Sequence, residues 1–287
     1  MPVVALGLVL GAAITHATWN YFAKGADGSA AFTFAFCAVA VATYWPIALI
    51  AYLWLRPTIG PEAIAWVVVS GSINLLYFLL LAAGYRSGDL SLVYPLARGT
   101  GPALSVVGAM LVFGERPSAL ALTGAALVVA GILVMSWSRG GRRGPDAGRS
   151  IAFALATGVC IAAYTLWDNK GVTILAPVLY SFGQDVTRAT LMAPVVLTKA
   201  DGRRQVAAAF RDQRRAVLAV GVLSPGAYIL VLIALTMAPV SYVAPAREVS
   251  ILFGAVLGLR LLGESDARRR LAGATANLAG VAALTLG

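Results

Sequence analysis

The sequence predicts an all-α membrane protein: ten transmembrane helices, built as two inverted five-helix repeats around a central cavity. Three observations predict it. The 287 residues are 60% hydrophobic and 12% charged, with a mean hydropathy of +0.83, too apolar for a soluble domain of this length to cover with polar surface. Apolar stretches recur at the length of about 20 residues that a helix needs to cross a hydrocarbon core of about 30 Å. The two halves of the chain also echo one another at a constant spacing.

With Gly, Pro and charge as stops, hydropathy places spans near 3–23, 30–55, 63–84, 90–113 and 118–137, then 150–169, 174–198, 216–238, 241–262 and 271–287. Residues 119–136 and 216–238 are apolar on both parities, which excludes barrel strands that alternate apolar and polar. Two hydrophilic breaks interrupt the series, at 139–149 and 199–215. The first halves the chain into a repeat at 1–138, a linker at 139–149 and a repeat at 150–287. The amino end shows no basic leader or small-residue cleavage pattern, so its first apolar run is expected to stay as a helix.

At an offset of 149 the pairs Ala97/Ala246, Arg98/Arg247, Val107/Val256, Gly114/Gly263, Glu115/Glu264, Gly124/Gly273, Ala125/Ala274, Ala130/Ala279 and Gly131/Gly280 are identical. Pro95 and Pro245 align with one residue of slippage, and at an offset of 148 His16, Trp19 and Asn20 face Tyr164, Trp167 and Asp168. Five spans per repeat oblige the second repeat to enter the membrane from the opposite side. Two such bundles can exchange conformations, so a site between them opens to either side in turn, which is a transporter architecture.

The formal charge of +10 raises the question of nucleic acid, but the basic residues fall mainly between apolar segments, where they act as topology signals, and no nucleic-acid partner is expected. Odd-numbered loops hold fifteen Lys and Arg, and even-numbered loops three (Arg56, Arg116 and Lys170), which puts odd loops in the cytoplasm and both termini outside. Cys37 and Cys160 lie in apolar segments of different repeats and indicate packing rather than a disulfide or metal. No Gly-rich phosphate loop is present, and no cofactor or metal is expected.

The stretch Tyr94-Pro95 to Arg98, followed by Gly114-Glu115-Arg116 and an apolar helix bearing Gly124 and Gly131, resembles the EamA repeat of the drug/metabolite transporter superfamily. A second copy runs from Pro245 to Gly280 with Gly263-Glu264, although Ser265 and Asp266 stand where the family has a basic residue. His16-Ala17-Thr18-Trp19-Asn20, with Lys24 four residues on, is similar to the family's first-helix signature. The resemblance covers the whole chain and implies a multi-pass protein of a bacterial cytoplasmic membrane. Among bacterial relatives, YddG-type amino-acid exporters resemble it in length and in an unadorned ten-span plan. That implies export of amino acids, aromatic ones among the candidates, by alternating access through the central cavity.

Charges within spans cost at least about 2.5–3.5 kcal/mol each at mid-membrane, so Arg98, Asp185, Arg188, Arg247 and Glu248 each need a partner, water or a function. Arg98 and Arg247 occupy matching positions just after prolines that free helix carbonyls, and a cationic pair at the midline suits a carboxylate. The plainer reading is a helix tie, or neutralisation of Glu248 by Arg247. Asp185 and Arg188, three apart, are expected to neutralise each other, with Gln184 beside them as a lone amide. His16, the only histidine, shares a face with Trp19 and Asn20 and is the candidate for proton coupling, against a packing role. Asn74 and Tyr77, Tyr94 and Arg98 share faces. Tyr228 follows Ser224-Pro225-Gly226, which should bend the eighth span toward the inter-repeat space. Trp19 and Trp167 are candidate cavity walls, or interfacial anchors. Glu115 and Glu264, at span ends, fit loop capping better than proton coupling. The Gly7/Gly11 and Gly254/Gly258 pairs fit close helix packing.

The expected site for a small-molecule substrate is therefore ringed by Asn20, Asn74, Tyr77, Tyr94, Arg98, Trp167, Tyr228 and Arg247. Two competing functions stand beside amino-acid export. One is a carrier of anionic phosphorylated metabolites. The other is an intramembrane enzyme acting on lipid-linked substrates, against which the chain has one histidine, no paired-histidine metal motif and no Gly-x-Ser-x-Gly elbow; Asp168 or Asp185 would be unsupported catalytic carboxylates. The protein is expected not to be an enzyme.

Overall fold

In a computed structural model of the chain, residues 1–23, 26, 28–87, 90–136, 147–250 and 267–287 are described, those at 85–87, 90–92, 94, 95, 135, 136, 147 and 267–271 by backbone alone. The described residues form eleven helices: α1 (Val3–Ala23), α2 (Ala30–Leu55), α3 (Pro61–Ser87), α4 (Leu90–Val112), α5 (Ala119–Ser136), α6 (Ala147–Ile174), α7 (Pro177–Leu197), α8 (Gly202–Asp212), α9 (Arg214–Leu235), α10 (Val240–Ala246) and α11 (Ala267–Leu286). Helices dominate because backbone amides in lipid have no water to bond and must be satisfied within the segment. Local chemistry sets several starts. The Ser29 hydroxyl accepts from the Phe32 amide at 3.0 Å and caps α2. Pro61 and Pro177 open α3 and α7, where a missing N–H costs nothing.

Of these, α1, α2, α3, α6 and α9 are long and apolar enough to cross a membrane, and the described parts of α4, α5 and α11 contribute shorter apolar runs. Their outer faces carry large apolar side chains, with Leu111 80% exposed, as a surface against lipid requires. The ninth span is described only from Val240 to Ser250; its remainder, with Gly254, Gly258, Gly263 and Glu264, lies outside the described residues.

The repeats are related by an approximate two-fold. Helix α1 packs on α9 as its counterpart α6 packs on α3, and α3 meets α7 as α9 meets α2. Glycines show the correspondence atom by atom. A Cβ on Gly71 would lie 2.7 Å from Thr187 and 3.2 Å from the Gln184 carbonyl; one on Gly221 would meet Val39 at 2.6 Å and the Phe36 carbonyl at 2.8 Å. On the two-fold itself, Gly124 faces the Gly280 carbonyl and Gly131 the Gly273 carbonyl, each at 2.6 Å from the added Cβ. The register rises along α5 as it falls along α11, so these equivalent helices are antiparallel and the repeats inverted. A Cβ on Gly11 would lie 3.6 Å from Leu230 in the same sense, whereas one on Gly7 would meet nothing within 4 Å among the described residues.

Two element boundaries differ from those the hydropathy implies. The hydrophilic break at 199–215 contains a helix, α8, with Arg203, Arg204 and Arg211 in solvent, Ala209 buried against Phe32 and Phe36, and Val206 packed near Met192 and Val196. Its average polarity hides a narrow apolar face. The sixth span continues to Ile174 rather than ending at 169, which carries Lys170 into the helix and Asp168 well inside it.

The Gly114-Glu115 pair has a structural role. Gly114 adopts φ +65°, a left-handed turn open to glycine. Glu115 then reaches the other repeat, where its two carboxylate oxygens accept from the Val240 and Ser241 amides, each at 2.9 Å. It caps the amino terminus of α10, where orphan amides and the helix dipole favour a carboxylate.

Candidate functional site

A cavity lies between the repeats, bounded by α1, α3, α4, α6, α7, α9 and the turn after α10. One wall is aromatic: His16, Trp19, Tyr77, Phe78, Tyr164 and Tyr228. Their rings touch edge to face, His16 on Trp19 at 4.7 Å, Tyr77 on Tyr164 at 6.0 Å and Tyr164 on Tyr228 at 6.1 Å. Polar groups complete it: Asn74, Ser181, Gln184, Ser224 and three arginines, Arg98, Arg188 and Arg247. Its free space is about 70 Å³, smaller than the roughly 300–1,000 Å³ of ordinary small-molecule pockets.

Electrostatically the lining is one-sided. Arg98, Arg188 and Arg247 border the cavity, whereas the carboxylates of Asp168, Asp185 and Glu248 stand behind it, each 1% exposed or less. Glu248 is held by Arg98 at 2.9 Å and more distantly by Arg247 at 3.9 Å. The reading that Arg247 alone neutralises Glu248 is thus revised: the nearer partner is the arginine of the other repeat. Arg98 also donates to the Ser250 hydroxyl at 3.1 Å, and Arg247 to the Tyr164 hydroxyl at 3.2 Å. Gly99 occupies the place in the first repeat that Glu248 holds in the second, so one carboxylate serves two equivalent arginines. Asp185 and Arg188 pair directly on α7, as their spacing implies, and Arg188 also donates to the Asn74 carbonyl oxygen at 2.8 Å. The buried indole N–H of Trp19 has no acceptor among the described residues, leaving a donor on the cavity wall.

Of the residues expected at the site, the cavity gathers Asn74, Tyr77, Arg98, Tyr228 and Arg247, together with His16. Asn20 is not in the lining; its amide donates back to the His16 carbonyl at 2.8 Å within α1. Trp167 lies outside it too, stacked on Trp66 with ring centroids 4.0 Å apart and donating to the Trp66 carbonyl at 2.9 Å. Helical phase accounts for both, since Asn20 turns back along α1 and Trp167 turns toward Trp66 on α3 of the other repeat, away from the cavity. The Tyr94 side chain lies outside the described residues.

Sequence reasoning missed the hub behind the aromatic wall. On α6, one turn beyond Tyr164, Asp168 accepts four hydrogen bonds. Ser70 and Tyr180 donate to Oδ1, the latter at 2.9 Å, and Gln184 and Tyr228 donate to Oδ2, the former at 3.0 Å. Three helices, α3, α7 and α9, thereby meet on one carboxylate. The available signal was an aspartate in an apolar helix; a span ended at 169 makes it look like a terminal residue.

The EamA-like transporter family model matches residues 3–137 and again 148–286. The chain belongs to the EamA-like transporter family. Both EamA matches fall in the two halves that the two-fold relates. No curated protein matches the chain. A solved crystal structure with 16% sequence identity superposes with a TM-score of 0.78, covering 100% of this chain and 98% of the other, which shows that the fold is shared. As an EamA-family protein, the chain is a multi-pass membrane transporter that takes small molecules across a bilayer.

Proposed function

We propose that the protein is a secondary carrier of small carboxylate-bearing metabolites, foremost amino acids with aromatic ones among them, exported across a bacterial cytoplasmic membrane by alternating access. The observation that carries this reading is the composition of the lining, three arginines and, among the described residues, no carboxylate beside a wall of six aromatic rings. Arginine recognises planar carboxylates through paired donors. The aromatic wall would take the substrate's apolar part. The narrow cavity fits a carrier passing through a closed conformation better than an open channel. Resemblance to amino-acid exporters supports the substrate class.

The surplus of cationic lining over acidic lining also favours a second reading, a carrier of phosphorylated anions. Counterflow in proteoliposomes, screened over amino acids and phosphorylated metabolites, separates the two. Saturable exchange of amino acids supports the first reading, and exchange of phosphorylated compounds alone replaces it with the second. Exchange of neither would sink both.

A further inference from the structure

We propose that Asp168 is the protein's proton-carrying site and that Tyr228 relays its protonation state to the cavity by reversing its hydroxyl. The argument is one of hydrogen-bond accounting. An ionised carboxylate offers about four lone-pair sites, and all four here are taken, by Ser70, Tyr180, Gln184 and Tyr228. Every donor is neutral. A fully buried charge held by neutral donors, with no counter-ion bonded to it among the described residues, leaves the protonated form within reach.

Protonation changes the accounting in a definite way. The new carboxyl O–H becomes a donor and needs an acceptor, and one existing donor must turn away. Gln184 Nε2 cannot accept. Of the hydroxyls, Tyr228 alone lines the cavity. With Asp168 protonated, the Tyr228 oxygen accepts from the carboxyl and its own O–H swings into the cavity. With Asp168 ionised, that O–H returns to Oδ2. The cavity thus gains one donor for each proton taken up, next to three arginines, so an anionic substrate and a proton favour one another. This step rests on the reading of the cavity as the substrate path. The proton reaches the carboxyl oxygen and leaves from it, and no other bond is made or broken.

The surrounding ionisable groups are accounted for. Tyr180 on α7 and Tyr228 on α9 bond Asp168 directly, Ser70 on α3 donates to it, the Trp66 carbonyl of α3 accepts from Tyr180, and Tyr77 of α3 lines the cavity against Tyr164. Asp185 and Arg188 on α7 pair with each other. On α4 and after α10, Arg98 and Arg247 flank Glu248, Tyr164 on α6 accepts from Arg247, and His16 on α1 lines the cavity. Tyr180 is the competing relay, because it lies 3.3 Å from the Trp66 carbonyl and could turn there instead, away from the cavity.

Infrared titration of the substrate-free protein in lipid nanodiscs, with ring-labelled tyrosine, tests the proposal. Acidification is expected to raise a carboxylic C=O band that is missing from Asp168→Asn. A labelled tyrosine C–O mode is expected to shift in step with it, and that shift is lost in Tyr228→Phe and kept in Tyr180→Phe. Should Asp168→Asn not fold, aspartate carboxyl labelling in the wild type identifies the band. A tyrosine shift lost in Tyr180→Phe instead, or no aspartate band at any pH at which the protein stays folded, overturns the proposal. Because no substrate is added, failed counterflow would strike the carrier reading and leave this result standing.

Discussion

Arg98 and Arg247 are equivalent by sequence and unequal by environment. Arg98 contacts Glu248 at 2.9 Å and Arg247 at 3.9 Å, so removing Arg98 takes away the nearer partner of a carboxylate with no exposure. Breaking a buried pair from one side costs about 3–5 kcal/mol, because the remaining charge is uncompensated. Arg98→Ala is therefore expected to lower the melting temperature in detergent well below that of Arg247→Ala. Both are expected to abolish flux in proteoliposomes while still inserting; unchanged flux in both would reduce them to ties between helices. An Arg98→Ala, Glu248→Gln double variant should recover much of the lost stability without recovering flux, since it removes the stranded charge and still lacks the arginine.

Among the elements, the contacts of α5 with α11 and of Glu115 with α10 bear most directly on the two-fold. A side chain at Gly131 or Gly124 would drive its Cβ to 2.6 Å from a backbone carbonyl across the interface, where nothing flexible can yield. Gly131→Val is expected to destabilise the protein by about 1–3 kcal/mol or more, read as a thermal shift in detergent, while Gly7→Val, with open space around it, should have little effect. Loss of the Glu115 cap in Glu115→Ala should cost about 1–2 kcal/mol. Glu115→Gln keeps one acceptor and should cost less. The helix α8 shows the limit of window averaging: residues 202–212 are hydrophilic in the mean, yet Ala209 and Val206 form a strip that packs on its neighbours.

At the scale of the molecule, inversion and loop charge together predict orientation. Fifteen basic residues in odd loops against three in even ones place both termini outside. Alkaline phosphatase fused after Gly287 is expected to be active, and a fluorescent reporter that matures only in the cytoplasm is expected to stay dark there; the reverse pattern would invert the topology. Lys170 proves to lie within α6, before its last turn, rather than in a free loop, which leaves the asymmetry between loops intact.

Hydropathy and the 149-residue echo were enough to determine the fold class, the inverted repeats and the equivalence of Arg98 with Arg247, because burial in lipid and repeat symmetry act on residue type along the chain. They also marked Asn74, Tyr77, Tyr228 and His16, which share the cavity. Which face of a helix meets which neighbour is a property of packing, and there the chain was silent: Asn20 turns back onto its own helix, Trp167 turns to Trp66 of the opposite repeat, and Glu248 takes its nearer arginine from the opposite repeat. Asp168 was hidden for the same reason. Its four donors come from positions 70, 180, 184 and 228, brought together only when α3, α7 and α9 close around α6. A polar network joining residues so far apart leaves no periodicity to read, and only the tertiary structure decides it.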